Sequence, residues 1–260
     1  MEGTLERRIL HSPEDVAHEA AEFIVWLAEQ AARNGETFRV ALAGGSTPRL
    51  LYQTLSGSIF RNQVNWPSLE YYFGDERAVE PTHLDSNFRM ADETLLTPLA
   101  IPPDRVFRMP GEAKDLNEAA HRYETAMRER FNTPAPMWPR FHLILLGMGE
   151  DGHTASLFPG GPALQENSKA VVATRSPKGV PNRLSVTLPL INQAATVVFM
   201  VTGATKAPAV RAVLEQPEMS GSHYPAKLVR PTHGRVIWFL DRAAASELIP
   251  EQQHLTYEEE

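Results

Sequence analysis

Short apolar runs alternate with segments of helical periodicity along most of the chain. A first helix is predicted to begin after Ser12, which can cap it ahead of Pro13, and to end near Gly35. Its apolar positions form the expected buried face: Val16, Ala20, Phe23, Ile24 and Leu27. Further helices are predicted over residues 47–55, from about 86, over 115–131 and over 204–214.

The short apolar runs predict strands. They cover residues 38–43, 69–73, 141–146, 170–174, 196–201 and 236–240. The run 141–146 is apolar on both faces, which is typical of a central parallel strand. Strands that alternate with helices predict an α/β fold, with a mostly parallel sheet and helices on both faces. We expect a single domain over residues 1–260, with an acidic, solvated tail from about 250.

The composition is that of a soluble globular protein, with 42% apolar and 22% charged residues. The absence of cysteine excludes disulfides, thiolate metal ligands and a thiol nucleophile. A formal net charge of −7 argues against a nucleic-acid partner, so any anion site must be local. Residues 1–11 lack the apolar core of a signal peptide, and no run approaches the roughly 20 apolar residues of a membrane span. We therefore expect a cytoplasmic protein that does not engage a membrane.

The run Gly44-Gly45-Ser46-Thr47-Pro48 lies between the first predicted strand and a helix. Two interpretations fit it. As a phosphate site, the glycines let the backbone approach an anion, the helix N-terminus attracts it, and the hydroxyls of Ser46 and Thr47 donate hydrogen bonds. As a structural turn, Ser46 or Thr47 caps the helix and Pro48 takes its first position. Capping leaves the paired glycines unexplained, and the Gly-Lys-Ser/Thr ending of a Walker A loop is absent.

The run Phe73-Gly74-Asp75-Glu76-Arg77 ends the next predicted strand with three charges. A solvated loop is the structural interpretation. In the functional interpretation, Asp75 and Arg77 face a ligand, and the guanidinium of Arg77 is available to bind an anion.

The run Gly147-Met148-Gly149-Glu150-Asp151-Gly152-His153 follows the central strand and contains the pattern G-x-G-x-x-G. Two features argue against a dinucleotide site. Pro159 would end the following helix early, and the next strand ends in Thr174-Arg175 rather than in an acidic residue. His153 beside Asp151 is instead a candidate general base, because imidazole titrates near neutral pH.

Arg183 and Lys206 are two isolated cations later in the chain. Lys206 lies in the first turn of a predicted helix, where the helix dipole disfavours a positive charge unless an anion lies nearby. Taken singly, each residue is also explained as a solvated surface charge.

These motifs together resemble those of the 6-phosphogluconolactonases, in the runs GGSTP, FGDER and GMGEDGHTASLFPG. Arg183 in RLSVTLP and Lys206 in TGATKA fall where that family has its later basic residues. The resemblance implies a Rossmann-like α/β fold and hydrolysis of 6-phosphoglucono-δ-lactone, the second step of the oxidative pentose phosphate pathway. It implies no metal and no organic cofactor. The expected partner is a small-molecule phosphorylated sugar lactone, and we expect a monomer.

The mechanism expected from the residues uses His153 as a general base on the attacking water, with return of the proton to the ring oxygen. Asp151 or Asp75 is expected to orient the imidazole or the water, and the sequence leaves that choice open. Backbone N–H groups of residues 147–152 are expected to stabilise the oxyanion. The expected substrate- and phosphate-binding residues are Gly44, Gly45, Ser46, Thr47, Arg77, Gly149, Arg183 and Lys206.

Two other functions remain as alternatives. The related glucosamine-6-phosphate deaminases pair their loop histidine with a glutamate five residues later, and Phe158 occupies that position here. An aromatic ring cannot accept a proton, so this departure favours the lactonase. The second alternative is a non-catalytic sugar-phosphate sensor with the same pocket.

Overall fold

The computed structural model describes residues 4–216 and 224–249, which form two β-sheets with helices around them. The described strands are β1 (Thr4–Leu10), β2 (Arg39–Leu42), β3 (Glu70–Phe73), β4 (Asp75–Arg77), β5 (Leu143–Leu146), β6 (Val171–Arg175), β7 (Asn182–Val186), β8 (Thr196–Val201) and β9 (Arg235–Asp241). The larger sheet has six parallel strands in the order β1-β9-β8-β5-β2-β3, which confirms the predicted fold class. The tail predicted from about residue 250 lies outside the described residues, and the single-domain organisation stays a prediction.

Four of the described helices begin within one residue of their predicted starts. The described helices are α1 (Pro13–Arg33), α2 (Ser46–Ser56), α3 (Asn87–Ala91), α4 (Leu116–Phe131), α5 (Leu188–Ile191) and α6 (Ala207–Leu214). The side chains of Ser12, Ser86 and Asp115 each accept a hydrogen bond from a backbone N–H of the helix that follows. The predicted helix over 204–214 begins later, because residues 204–206 form a 3₁₀ turn.

The smaller sheet is antiparallel and has the strand order β4-β7-β6. The sequence placed the run 170–174 among the strands of a mostly parallel sheet, and this was wrong: the strand belongs to the smaller sheet. Only Val171 of this strand is buried, and the strand ends in the exposed Arg175, which is the pattern of a sheet with one solvated face. The small sheet carries Arg77 and Arg183 on facing strands.

Strand β1 was not predicted, because Glu6, Arg7 and Arg8 interrupt its apolar positions. It pairs in parallel with β9 at the edge of the large sheet. The guanidinium of Arg8 lies over the Phe23 ring at 5.6 Å, so the long side chain covers apolar surface while its charge reaches solvent. A charged edge strand also resists pairing with another chain.

The core lies around the central strands, and the site lies above them. Strands β5 and β8 are buried along their whole length, as expected when helices cover both faces. The chain runs outward from β2 to β3 and then returns to β5 on the other side of β2. Crevices at such reversals, beyond the carboxyl ends of the strands, are where open α/β sheets bind ligands. Across the described ranges, no helix has the length and apolar character needed to span a membrane.

Candidate active site

A cleft of about 380 Å³ opens at the carboxyl ends of the parallel strands, at the reversal between β2 and β5. All the predicted site residues line it: Gly44, Gly45, Ser46, Thr47, Asp75, Arg77, Gly149, Asp151, His153, Arg183 and Lys206. The fold therefore gathers into one cleft four motifs that are far apart in the sequence.

His153 and Asp151 form a hydrogen-bonded pair in the loop after β5. The Nδ1 atom of His153 lies 2.5 Å from Oδ1 of Asp151, and the backbone N–H of His153 donates to the same oxygen at 3.2 Å. Burial raises the pKa of Asp151, but the hydrogen bond and charge of His153 outweigh it and hold that pKa below its usual range. A carboxylate on Nδ1 leaves Nε2 as the ring nitrogen that can accept a proton.

The loop after β5 is shaped around this imidazole. The ring of Phe158 lies 4.8 Å from the ring of His153, centroid to centroid, so the neighbour on this side is apolar. No long helix follows Gly152, and the chain instead makes a turn in which Thr154 pairs with Leu157. The dinucleotide interpretation is therefore excluded by the local structure, as the sequence indicated.

Gly149 contributes through its missing side chain. Its N–H donates to the carbonyl of His153 at 2.9 Å, and the N–H of Gly152 donates to the carbonyl of Gly149 at 3.0 Å. These two amides are occupied within the loop, so an oxyanion would have to be stabilised by other N–H groups of residues 147–152, which stays a prediction. A Cβ built on Gly149 would overlap the His153 ring and the Asp151 carboxylate, and only glycine leaves room for the pair.

The run Gly44–Pro48 forms the N-terminus of α2. Gly45 is the N-cap residue, and no side chain caps the helix, so the interpretation of Ser46 or Thr47 as a cap was wrong. The Thr47 hydroxyl instead shares a 2.8 Å hydrogen bond with the Thr202 hydroxyl across the cleft floor. The amides of a helix first turn have no partners within the helix, so this end of α2 offers donors and a positive potential to an anion.

Asp75 lies in the same cleft but has different partners from Asp151. It is 8% exposed, and its Oδ2 accepts a 2.6 Å hydrogen bond from the Ser156 hydroxyl. Its Oδ1 accepts from Nδ2 of Asn87 at 3.0 Å. The structure thus places Asp151, and not Asp75, on the Nδ1 atom of His153.

Arg77 and Arg183 lie opposite each other on β4 and β7. Burial and the charge of Arg77 lower the pKa of Arg183. The Nε atom of Arg183 donates to the Val180 carbonyl at 2.7 Å, whereas the Nε atom of Arg77 is buried without a partner. Through residues 4–216 and 224–249, neither guanidinium forms an ion pair with a carboxylate. Two adjacent cations with spare donors are suited to a bound anion.

Lys206 is the last residue of the 3₁₀ turn Ala204–Lys206 and the N-cap residue of α6. The turn is fixed by Asp241, which is 3% exposed and accepts from the N–H of Gly203 at 3.0 and 3.1 Å. The ammonium of Lys206 also has no carboxylate partner in the part of the chain that the structure describes. A buried carboxylate thus holds the turn while Lys206 remains available to a ligand.

Sequence reasoning did not single out three residues that line the cleft: Asn87, Ser156 and Lys178. Ser156 lies inside the quoted run GMGEDGHTASLFPG, but its hydroxyl reads as an ordinary turn residue. Asn87 lies at the helix start predicted near residue 86, and nothing in the neighbouring sequence indicates that its side chain bonds to Asp75. Among the residues described, no group of three or more histidine and carboxylate side chains is placed to hold a metal ion.

Comparisons with known proteins identify the family of this chain. The family model described as "Glucosamine-6-phosphate isomerases/6-phosphogluconolactonase" matches residues 11–238. A curated protein of Synechocystis sp., named 6-phosphogluconolactonase, is 41% identical over 211 residues, which cover 81% of this chain and 85% of the relative. This chain belongs to the glucosamine-6-phosphate isomerase and 6-phosphogluconolactonase family, and the resemblance drawn from the motifs is confirmed.

Solved structures of related proteins share the fold of this chain. The crystal structure of devB protein is 30% identical, with a TM-score of 0.87 over 95% of this chain and 100% of that chain. A 6-phosphogluconolactonase from Trypanosoma cruzi is 28% identical, with a TM-score of 0.83 over 95% of this chain and 98% of that chain. The predicted Rossmann-like architecture is thereby confirmed.

Proposed function

We propose that this protein hydrolyses 6-phosphoglucono-δ-lactone to 6-phosphogluconate. The observation that carries the proposal is the His153–Asp151 pair, with 2.5 Å between Nδ1 and Oδ1, in a cleft that also holds four cations without carboxylate partners among the described residues. The predicted type of enzyme is confirmed by relatives that carry the name 6-phosphogluconolactonase. A phosphorylated sugar is the class of substrate that this family supports.

In the proposed mechanism, Nε2 of His153 takes a proton from a water as the water oxygen bonds to the lactone carbonyl carbon. Asp151 holds the imidazole through Nδ1 and stabilises the imidazolium that forms. As the tetrahedral intermediate collapses, the bond from the carbonyl carbon to the ring oxygen breaks and the ring oxygen receives the proton. The lactone is an activated ester, so the mechanism needs no covalent intermediate.

Phosphate binding falls to the N-terminus of α2 and to the cations around it. The Ser46 and Thr47 hydroxyls, Arg183 and Lys206 line the same cleft and supply donors of the kind that a phosphate requires. Arg77 would contact the phosphate or the sugar hydroxyls. Because Asp75 is not on the histidine, we assign it to the sugar hydroxyls or to the attacking water.

The deaminase alternative requires a further titratable group beside the histidine. The position that the deaminases use holds Phe158, whose ring is 8% exposed and packs on the imidazole. Hydrolysis of a lactone needs one base and one oxyanion site, and the cleft supports the simpler reaction. A sensor would have no use for a base at 153, so turnover separates it from the enzyme. We further propose that the protein acts as a cytoplasmic monomer.

The test pairs two assays on the purified protein, both with chelator present. The first forms the phosphorylated lactone in place and follows its loss above the spontaneous rate. The second measures ammonia release from glucosamine 6-phosphate. We expect acceleration in the first and none in the second; ammonia release without lactone hydrolysis would promote the deaminase, and neither activity would promote the sensor.

A further inference from the structure

The carboxylate of Asp75 is held at both of its oxygens by neutral donors. Oδ1 accepts from Nδ2 of Asn87 at 3.0 Å, and Oδ2 accepts from the Ser156 hydroxyl at 2.6 Å. The same Nδ2 atom also donates to the Asp75 backbone carbonyl at 2.9 Å. A carboxylate has about four lone-pair positions, so two remain for a ligand in the cleft.

Asn87 is itself fixed before any ligand binds. Its backbone N–H donates to Oε1 of Glu76 at 2.7 Å, and the N–H of Phe88 donates to Oε2 at 2.8 Å. The Ser86 hydroxyl donates to the same Oε2 atom at 3.0 Å. Glu76, which is 3% exposed, therefore ties the start of α3 to β4, beside Asp75.

Gly44 leaves the space that the Asn87 side chain fills. A Cβ built on Gly44 would overlap the amide group of Asn87, including Oδ1, which is buried and without a partner. Asn87 is 2% exposed, so its amide has nowhere else to go. The first glycine of GGSTP thus leaves room for the Asn87 side chain at the start of α3, in addition to any approach to a ligand.

We propose that Asn87 is a positioning residue, which aims the Asp75 carboxylate into the cleft and keeps it ready to accept a hydrogen bond from the substrate or the attacking water. This inference rests on the proposed function. The amide donor favours a single rotamer of the Asp75 side chain, so the carboxylate is ordered before the substrate arrives. Ser156 acts on the other oxygen in the same way.

The experiment is a double-mutant cycle on kcat and KM for the phosphorylated lactone, with Asn87→Ala, Asp75→Ala and the double variant. Asn87→Ala should lower kcat/KM by roughly 10–100-fold, the range for a lost hydrogen bond to a charged group. In the Asp75→Ala background, the same change should cost less than about threefold, because its target is gone. Losses that multiply in the double variant would show that Asn87 does not act through Asp75 and would overturn the proposal.

Two further variants guard against a simple folding defect. Asn87→Asp keeps the shape and the backbone contacts but replaces the donor by an acceptor, so it should lose at least as much kcat/KM as Asn87→Ala; wild-type kcat/KM in Asn87→Asp contradicts the proposal. Asn192→Ala is the matched control, since Asn192 also donates to a carbonyl at 3.1 Å and accepts from a backbone N–H at 2.7 Å, away from the cleft. It should lower thermal stability with little change in kcat/KM, and an equal loss of kcat/KM there would reduce Asn87 to a structural residue.

The proposed function and this inference fail in different ways. Wild-type hydrolysis of the lactone is measured first, and its absence ends the proposed function. The affinity of the four proteins of the cycle for 6-phosphogluconate is then measured by calorimetry. Coupling between residues 75 and 87 supports the inference, and independent effects overturn it.

Discussion

Charged side chains lie at both ends of the parallel strands, but their partners differ. We call the amino ends of these strands the amino edge, and their carboxyl ends, with the cleft above them, the carboxyl edge. At the amino edge, Glu70 is 2% exposed and bonds to Nε of Arg39 at 2.9 Å and to Nε of Arg130 at 2.7 Å. At the carboxyl edge, Arg77 and Arg183 of the smaller, antiparallel sheet line the cleft without a carboxylate partner among the described residues.

The charges at the amino edge are paired and stabilise the fold, whereas the cations at the cleft are available to bind a ligand. Burial raises the pKa of Glu70, but the hydrogen bonds from Arg39 and Arg130 outweigh it and hold that pKa below its usual range. At the cleft, burial and the like charge of Arg77 lower the pKa of Arg183. The surroundings therefore favour the charged form of Glu70 but disfavour the charged form of Arg183. An anion that binds at the cleft relieves an unfavourable arrangement, whereas the guanidiniums at the amino edge already have a carboxylate partner in Glu70. Substitutions at the carboxyl edge should therefore change activity, and those at the amino edge should change stability.

The largest effect is expected at His153. His153→Ala should lower kcat by roughly 10²–10⁴-fold while the fold persists, because it removes the general base. Lactone loss above the spontaneous rate and thermal unfolding provide the measurements. His121→Ala is the control, since His121 is exposed on α4. A His153→Ala variant that keeps most of the wild-type kcat excludes His153 as the base.

The next effect concerns the cations of the cleft. Arg183→Ala and Lys206→Ala should each weaken binding of the phosphorylated lactone by roughly 10–150-fold, the effect of losing one charge-assisted hydrogen bond. The unphosphorylated lactone should be affected little. Arg33→Ala, at an exposed helix end, is the control. Equal losses on both lactones would show that these residues do not bind the phosphate.

The smallest effect on turnover is expected at the amino edge. Glu70→Gln should lower the free energy of unfolding at pH 7 by about 1–3 kcal/mol, because the guanidiniums of Arg39 and Arg130 lose their charged, buried partner. The kcat/KM value should not change. Since the folded-state pKa of Glu70 is depressed, its ion pairs stabilise the fold above the ordinary glutamate pKa of about 4.3 and are lost as pH falls through the folded value.

The difference between wild type and Glu70→Gln should accordingly shrink as the solution is acidified. Denaturant unfolding at pH 7 and in acid measures this. Glu118→Gln is the matched surface control, as Glu118 and Arg122 are 3.8 Å apart and both exposed. A stability loss at Glu118 as large as that at Glu70, or a loss of kcat/KM at Glu70, would remove the contrast between the two edges.

Sequence reasoning succeeded where the signal was local. The cap Ser12, the helix starts near Ser86 and Asp115, and the central strand were predicted from neighbouring residues. Asp151 was one of two candidate partners of His153, and the structure was needed to choose it over Asp75. The loops that follow parallel strands meet at one edge of the sheet, and this rule alone brought the four motifs together.

The missed features depend on contacts between distant parts of the chain. Asp75 and Ser156 are 81 positions apart. Ser185 on β7 links them, because it pairs with Asp75 on β4 and its hydroxyl accepts a hydrogen bond from the N–H of Ser156 at 3.1 Å. Both strands of that pair are short and carry charges, so their alternation gave no signal. Strand β1 was missed for the same reason, because an edge strand has one partner and tolerates a polar sequence.

The most direct test of the central claim follows oxygen from water in a single turnover. The protein is placed in excess over the phosphorylated lactone in water labelled with heavy oxygen, and product and protein are analysed by mass spectrometry. Attack by a water that His153 activates predicts label in the carboxylate of 6-phosphogluconate, at a rate above the spontaneous one, and none in the protein. Unlabelled product, with the label in the side chain of Asp75 or Asp151, would show a carboxylate nucleophile and contradict the account.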